Sequence, residues 1–201
     1  MLTSRDPNEI YKNPLGRMMV FVDGENLIFR FQSMLEKGWV ARDDIAHIQD
    51  VLVWSNWCGG VTNFFRVLKA TYYTYAVGDE KTIDSIRGEI RKLEFPASGF
   101  PRLPNNLTPC VFKKPKRQAS AKGVDIQLTV DVLSHVHSNN VDAILLLAGD
   151  GDYEPLVREV TRSGKLVYLA AFSDGLSPKL PQIVDNFYCL DNHMFPAGAP
   201  S

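Results

Sequence analysis

Short unbroken apolar runs alternate along this chain with stretches whose apolar residues recur every three or four positions. "MMVFVD" (18–23) is one such run, closed by Asp23-Gly24, and it predicts a buried strand meeting a turn. Behind it Leu27, Ile28, Phe31, Met34 and Leu35 share one helical face, and Gly38 stops the helix. Ile45, Ile48, Leu52 and Ser55 keep a helical spacing, which predicts a second helix over 43–57 ending near Gly59-Gly60. "RVLKATYYTYAV" (66–77) is rich in β-branched and aromatic residues and reads as a strand. Ile83, Ile86, Ile90 and Leu93 predict a helix over 79–94.

From Pro96 to Gly123 the pattern lapses into Pro, Asn, Ser and Lys/Arg, with one short strand at Cys110–Phe112. "KGVDIQLTVDVLSHV" (122–136) is helical with a wide apolar arc, suited to covering a sheet. "DAILLLAG" (142–149) is a continuous apolar run of the kind found in a central parallel strand. A helix at 153–164, a strand at 165–172, a helical turn at 178–185 and an edge strand at 186–190 complete the series. Strands alternating with helices predict an α/β fold with an open parallel sheet and helices on both faces. One domain over 17–191 is expected, containing a basic loop at 96–122. A polar arm (1–16) precedes it and a tail (192–201) follows.

Composition narrows the partners. A net charge of −1 gives no global attraction to nucleic acid or to membranes, so such a partner would need a local patch. Cys58, Cys110 and Cys189 have no CxxC spacing, which argues against a disulfide framework or zinc knuckle and for a reducing, cytoplasmic setting. No run approaches the roughly 18 apolar residues of a membrane span, and "MLTSRDPNEIYKNP" has no apolar signal region.

The candidate chemistry lies in carboxylates. Ligands of open α/β sheets bind beyond the carboxyl ends of the strands, where strand order reverses. If 18–23 and 142–149 are neighbours there, Asp23, Asp150 and Asp152 converge. Asp125 shares a helix face with Leu128, Thr129 and Val132 and so looks towards the same edge. Asp131 lines up instead with Gln127, Ser134, His135 and Ser138 and is expected to face solvent. Crowded carboxylates have raised pKa values unless a divalent cation neutralises them. Oxygen donors without Cys or His nearby favour Mg²⁺ or Mn²⁺, which can activate water for phosphodiester cleavage. Plainer readings stay open: Asp152 as N-cap of the 153–163 helix, Asn26 as N-cap of the 27–36 helix, and Asp23-Gly24 as a turn pair. The acidic spacing of an EF-hand is absent. So are the DxD of a haloacid-dehalogenase phosphatase at the first strand and the glutamate of a Toprim domain.

"FVDGENL" (21–27), "KGVDIQLTVD" (122–131), "ILLLAGDGDYEPLV" (144–157), "GKLVYL" (164–169) and "LPQIVDNFYCL" (180–190) together resemble the NYN domain family, in its LabA/DUF88-like branch of the PIN-like nucleases. The resemblance implies a Rossmann-like PIN fold and a metal-dependent ribonuclease. It carries the acidic site onto Asp23, Asp125, Asp150 and Asp152, with Asn26 as an orienting partner, and restores weight to Asp131. Tyr153 stands where the family usually has Phe.

No acid falls between Glu94 and Asp125, whereas Arg102, Lys113, Lys114, Lys116, Arg117 and Lys122 are basic. Lys113, Lys114, Lys116, Arg117 and Lys122 are therefore candidates to track an RNA backbone towards the acids, against the simpler reading of a solvated loop. Trp54, Trp57, Phe64 and Phe65 read as core, with a base-stacking platform or a homodimer surface as alternatives. The function expected is cleavage of single-stranded RNA by metal-bound water. The rival is a PIN-like module that holds RNA or a protein without cutting.

Overall fold

The computed structural model describes residues 15–56, 58, 62, 64–95, 106–114 and 123–198. Most of the N-terminal arm, Trp57, the end of the tail and two parts of the basic segment, 96–105 and 115–122, lie outside them.

Six strands form one all-parallel sheet: β1 (Arg17–Asp23), β4 (Arg66–Ala76), β5 (Thr108–Lys113), β6 (Ala143–Leu147), β7 (Leu166–Ala171) and β8 (Asn186–Cys189). Their order across the sheet is β5-β4-β1-β6-β7-β8. The chain builds outward from β1 to β5, then returns to the other side of β1 and builds outward again to β8. The crossovers of the two halves place their helices on opposite faces. Helices α1 (Gly24–Glu36) and α2 (Glu80–Lys92) cover one face, and α3 (Gly123–His137), α4 (Glu154–Arg162) and α5 (Leu180–Ile183) the other. A short α6 (Asp191–Met194) closes the described chain against the first face.

The alternation of a strand's side chains accounts for both cores. Val20, Val22, Leu145 and Leu147 join Leu27, Phe31 and Ile90 on one face, whereas Phe21, Ile144 and Leu146 join Leu128, Val132 and Val157 on the other. All five residues of β6 are buried, so its unbroken apolar run belongs to a strand covered on both sides.

One expected element is replaced. Where the spacing predicts a helix over 43–57, the chain forms an antiparallel hairpin of β2 (Ala46–Ile48) and β3 (Leu52–Trp54). The Val51 N–H donates to the Ile48 carbonyl, and Asp50 takes a left-handed φ of 59°, which short polar residues tolerate. The apolar residues match a helical period only by coincidence. Leu52, Val53 and Trp54 are consecutive and all buried, which a strand lying under α1 achieves and a surface helix does not. Trp54 and Phe65 are core residues, and the Trp54 indole donates to the Glu94 carbonyl at 2.9 Å; Phe64 is exposed.

Gly24 opens α1 without a positive φ. Its necessity is space, because a Cβ there would lie 2.2 Å from the Tyr72 ring and 2.7 Å from the Tyr73 carbonyl. Gly24→Ala should therefore push the start of α1 off β4 and cost about 1–3 kcal/mol, the usual scale of overpacking. Urea unfolding of the two proteins checks this, and an unchanged midpoint would refute it.

Candidate acidic site at the sheet switch point

Pairing of β1 with β6, Met18 opposite Ala143 through Val22 opposite Leu147, brings the two acid-ended strands side by side where strand order reverses. Asp23 ends β1 and caps α1: its Oδ1 accepts the Asn26 N–H at 2.9 Å. The capping role considered for Asn26 is therefore taken by Asp23. Asn26 instead reaches across the switch point, where its Oδ1 accepts the Gly149 N–H at 2.9 Å. Asp150 caps the single 3-10 turn Gly151–Tyr153, accepting the Asp152 N–H at 3.0 Å. The cap expected of Asp152 thus belongs to Asp150, because the helix begins one turn early; Asp152 itself is exposed.

Tyr153 joins the two halves of the site. Its hydroxyl lies 3.0 Å from Asp23 Oδ2 and 3.4 Å from Asp125 Oδ1, so its one proton serves two carboxylates. Burial pushes the Asp23 carboxyl up to about 7, even though the Asn26 N–H and the Tyr153 hydroxyl both stabilise its ionised form. Asp125 is raised by desolvation first and then by Glu25. Tyr153 is raised far above the ordinary phenol range by burial and by these acids.

Asp23, Asp125 and Asp150 line one cavity of about 390 Å³ together with Glu25, Asn26, Phe29 and Arg30. Glu25 and Arg30 carry no signal in isolation, but positions 25, 26, 29 and 30 form the face of α1 opposite its buried Leu27, Ile28 and Phe31. Arg30 is the cation among the acids. Its Nε is buried without a hydrogen-bond partner, and its guanidinium packs on Gly175, where a Cβ would come within 2.1 Å of Cζ.

Other candidates fall elsewhere. Asp131 is half-buried rather than solvent-facing and accepts hydrogen bonds from the Tyr73 hydroxyl at 2.7 Å and the Gln127 amide at 2.8 Å, outside the residues that line the cavity. Lys113 is exposed at the end of β5 and pairs with Glu80 at 3.1 Å. Lys114 is buried and pairs with Glu25 at 2.8 Å, beside the acids. Lys116, Arg117 and Lys122 lie outside the described residues.

The family model for the NYN domain matches residues 17–191, from the first residue of β1 through β8. The chain belongs to the NYN domain family. NYN domains are generally nucleases with a PIN-like fold. An uncharacterized protein of Methanocaldococcus jannaschii is 33% identical over 66 residues, which are 33% of this chain and 28% of that protein. The match therefore spans less than a third of that relative. A crystal structure of a protein of unknown function from Vibrio parahaemolyticus shares the fold with a TM-score of 0.61 at 17% identity, covering 90% of this chain and 96% of that one. Among the described residues no helix is long and apolar enough to cross a membrane.

The donor set of this NYN domain is all oxygen, which suits a hard divalent cation. Among the described residues no three acids, imidazoles or thiols are already gathered as a metal-binding group. The carboxylates face one cavity from β1, α3 and the loop after β6, with Tyr153 between two of them.

In the folded chain Asp23 keeps its proton between about pH 4 and about 7, where an unfolded aspartate has lost it. Folding then takes up a proton, so stability falls as pH rises through that window. With divalent ions chelated, the wild type should lose on the order of 2–4 kcal/mol across it, and Asp23→Asn should flatten the profile. Tyr153→Phe removes a donor to the carboxylate and should extend the decline above pH 7. Thermal unfolding at a series of pH values checks both; parallel profiles for all three proteins would refute them.

Proposed function

We propose that this NYN domain is a metal-dependent endoribonuclease that hydrolyses phosphodiester bonds of single-stranded RNA. One observation carries the reading: Asp23, Asp125 and Asp150 face a single cavity at the switch point, with the unpartnered Nε of Arg30 in the same wall. Asp23 comes from a segment more than 100 residues from Asp125 and Asp150, and gathering these acids costs electrostatic energy that a cationic occupant would offset.

Asp23, Asp125 and Asp150 would hold Mg²⁺ or Mn²⁺, with Asp152 at the exposed rim and Asn26 fixing the loop that carries Asp150. When bound, the ion supplies an activated water and counter-charge for the leaving oxygen. Arg30 offers a guanidinium to the scissile phosphate, whose oxygens match its fork. Asp23 is neutralised below pH 7 by its own proton, so it becomes a ligand as pH rises. The products are expected to carry 5′-phosphate and 3′-hydroxyl ends. Lys113 and the basic positions 116, 117 and 122 are proposed to guide the RNA backbone towards this cavity.

A second reading, a domain that holds RNA or a protein without cutting, is favoured by Tyr153, whose hydroxyl already ties Asp23 to Asp125. Two measurements separate the readings. Labelled single-stranded RNA should be cut with Mn²⁺ or Mg²⁺, left intact with EDTA, and left intact by Asp150→Asn. Mn²⁺ should also raise the melting temperature more at pH 8 than at pH 5.5, since the ion competes with the Asp23 proton. A metal-dependent shift without cleavage would favour the non-catalytic reading, and neither effect would remove the metal site.

A further inference from the structure

A second cavity, of about 290 Å³, opens beside the acidic one, and Glu25 and Phe29 line both. It lies between the C-terminal end of β4, with Tyr75 and Val77, and the turn of the hairpin at Val51, with Lys114 in its wall. Its chemistry differs from that of its neighbour. Phe29 is 48% exposed and Val77 44% exposed, two large apolar side chains left to solvent at its rim. Lys114 is anchored within it: Nζ is 2.8 Å from Glu25 Oε1 and 4.8 Å from the centroid of the Tyr75 ring.

We propose that this cavity is a base-binding subsite, which takes the heterocycle of the nucleotide adjoining the phosphate in the acidic cavity. The inference rests on the phosphodiester reading above and adds to it a determinant of base preference. Three features carry it. A cavity of this size, lined by Phe29, Val51, Tyr75, Ala76 and Val77 with Glu25, Gln49, Asp50 and Lys114 as its polar groups, accepts one base with its sugar. An exposed ring at the border of the two cavities is where a base can stack while its phosphate reaches the acids. The Lys114 ammonium has three N–H donors, and Glu25 takes one of them. An ammonium donor fixed in the cavity wall selects ring carbonyl oxygens. Uracil has two such oxygens, whereas adenine has none, so the subsite should favour uracil over adenine.

The test is titration of the full chain with uridine 5′-monophosphate and with adenosine 5′-monophosphate. Binding is followed on the base protons by saturation-transfer NMR in EDTA, so that neither metal nor cleavage enters the readout. The wild type and Phe29→Ala are compared; position 29 is exposed, and its truncation leaves the core intact. The uridine nucleotide should bind with stronger transfer to its base than to its ribose. Its affinity should fall by about tenfold in Phe29→Ala, the scale of one lost base–aromatic stack. Equal affinity for wild type and Phe29→Ala, or no transfer to either nucleotide, would overturn the subsite. Equal affinity for the two nucleotides would overturn the part assigned to Lys114. If the expected pattern appears in a protein that cuts no RNA, the subsite stands and the nuclease falls; if RNA is cut but the pattern is missing, the nuclease stands and the subsite falls.

Discussion

Everything at the proposed site depends on the parallel register of β1 and β6, and side chains hold that register at both ends. At the N-terminal end Arg17 clasps Asp142: its backbone N–H donates to Oδ2 at 2.8 Å and its guanidinium to both carboxylate oxygens at 3.0 Å. The pair is partly exposed, so it adds little to stability. What it fixes is alignment, because a slip of one residue would turn every β6 side chain to the opposite face. At the C-terminal end the Asn26 amide oxygen holds the Gly149 N–H, beyond the last strand residue. Between these two clasps every apolar residue of the two strands but the half-buried Met19 is buried, and the acids emerge together at the same edge.

The acids are balanced rather than simply crowded. Asp23 is buried, yet it caps α1 and accepts from Tyr153, so the fold uses its carboxyl structurally whether or not a ligand is present. Glu25 is offset by Lys114 and shares the cavity with Arg30. The Arg30 guanidinium of α1 therefore stands within the acidic site itself, and the Lys114 ammonium stands at its border, paired with Glu25. The proposed phosphodiester substrate would use such a mixture, with a cation among the carboxylates and the unpartnered Arg30 N–H beside it.

The strands and most helices were legible because their apolar spacing matches their final burial. "DAILLLAG" reads as a central strand for the reason that it is one, with both faces covered. The hairpin at 46–54 was not legible, since Ile45, Ile48 and Leu52 fit a helical period while the burial of Leu52, Val53 and Trp54 beneath α1 decides the outcome. The convergence of Asp23, Asp150 and Asp125 on one cavity follows from a topological argument that needed only their positions at strand and helix ends. Glu25 and Arg30 were missed because their significance lies in partners far along the chain, Lys114 for one and Gly175 for the other. Lys114 read as one more charge in a basic run, whereas its burial beside Tyr75 distinguishes it from Lys113, its exposed neighbour.

The clasp between Asn26 and Gly149 spans 123 residues of sequence, and this has a consequence for how the molecule comes into being. A chain grows from its N-terminus, so β1 and its α1 cap are complete long before β6 exists. During that interval β1 can pair only with β4, and Asp23 lacks Asp150, Tyr153 and the loop that faces it. Closure of so long a segment is also among the slower contacts to form. The cavity is thus a late product of folding, and a nascent chain still short of residue 143 carries half a site. A ligand of the cavity would find no complete site on the nascent chain until the second half of the sheet has docked.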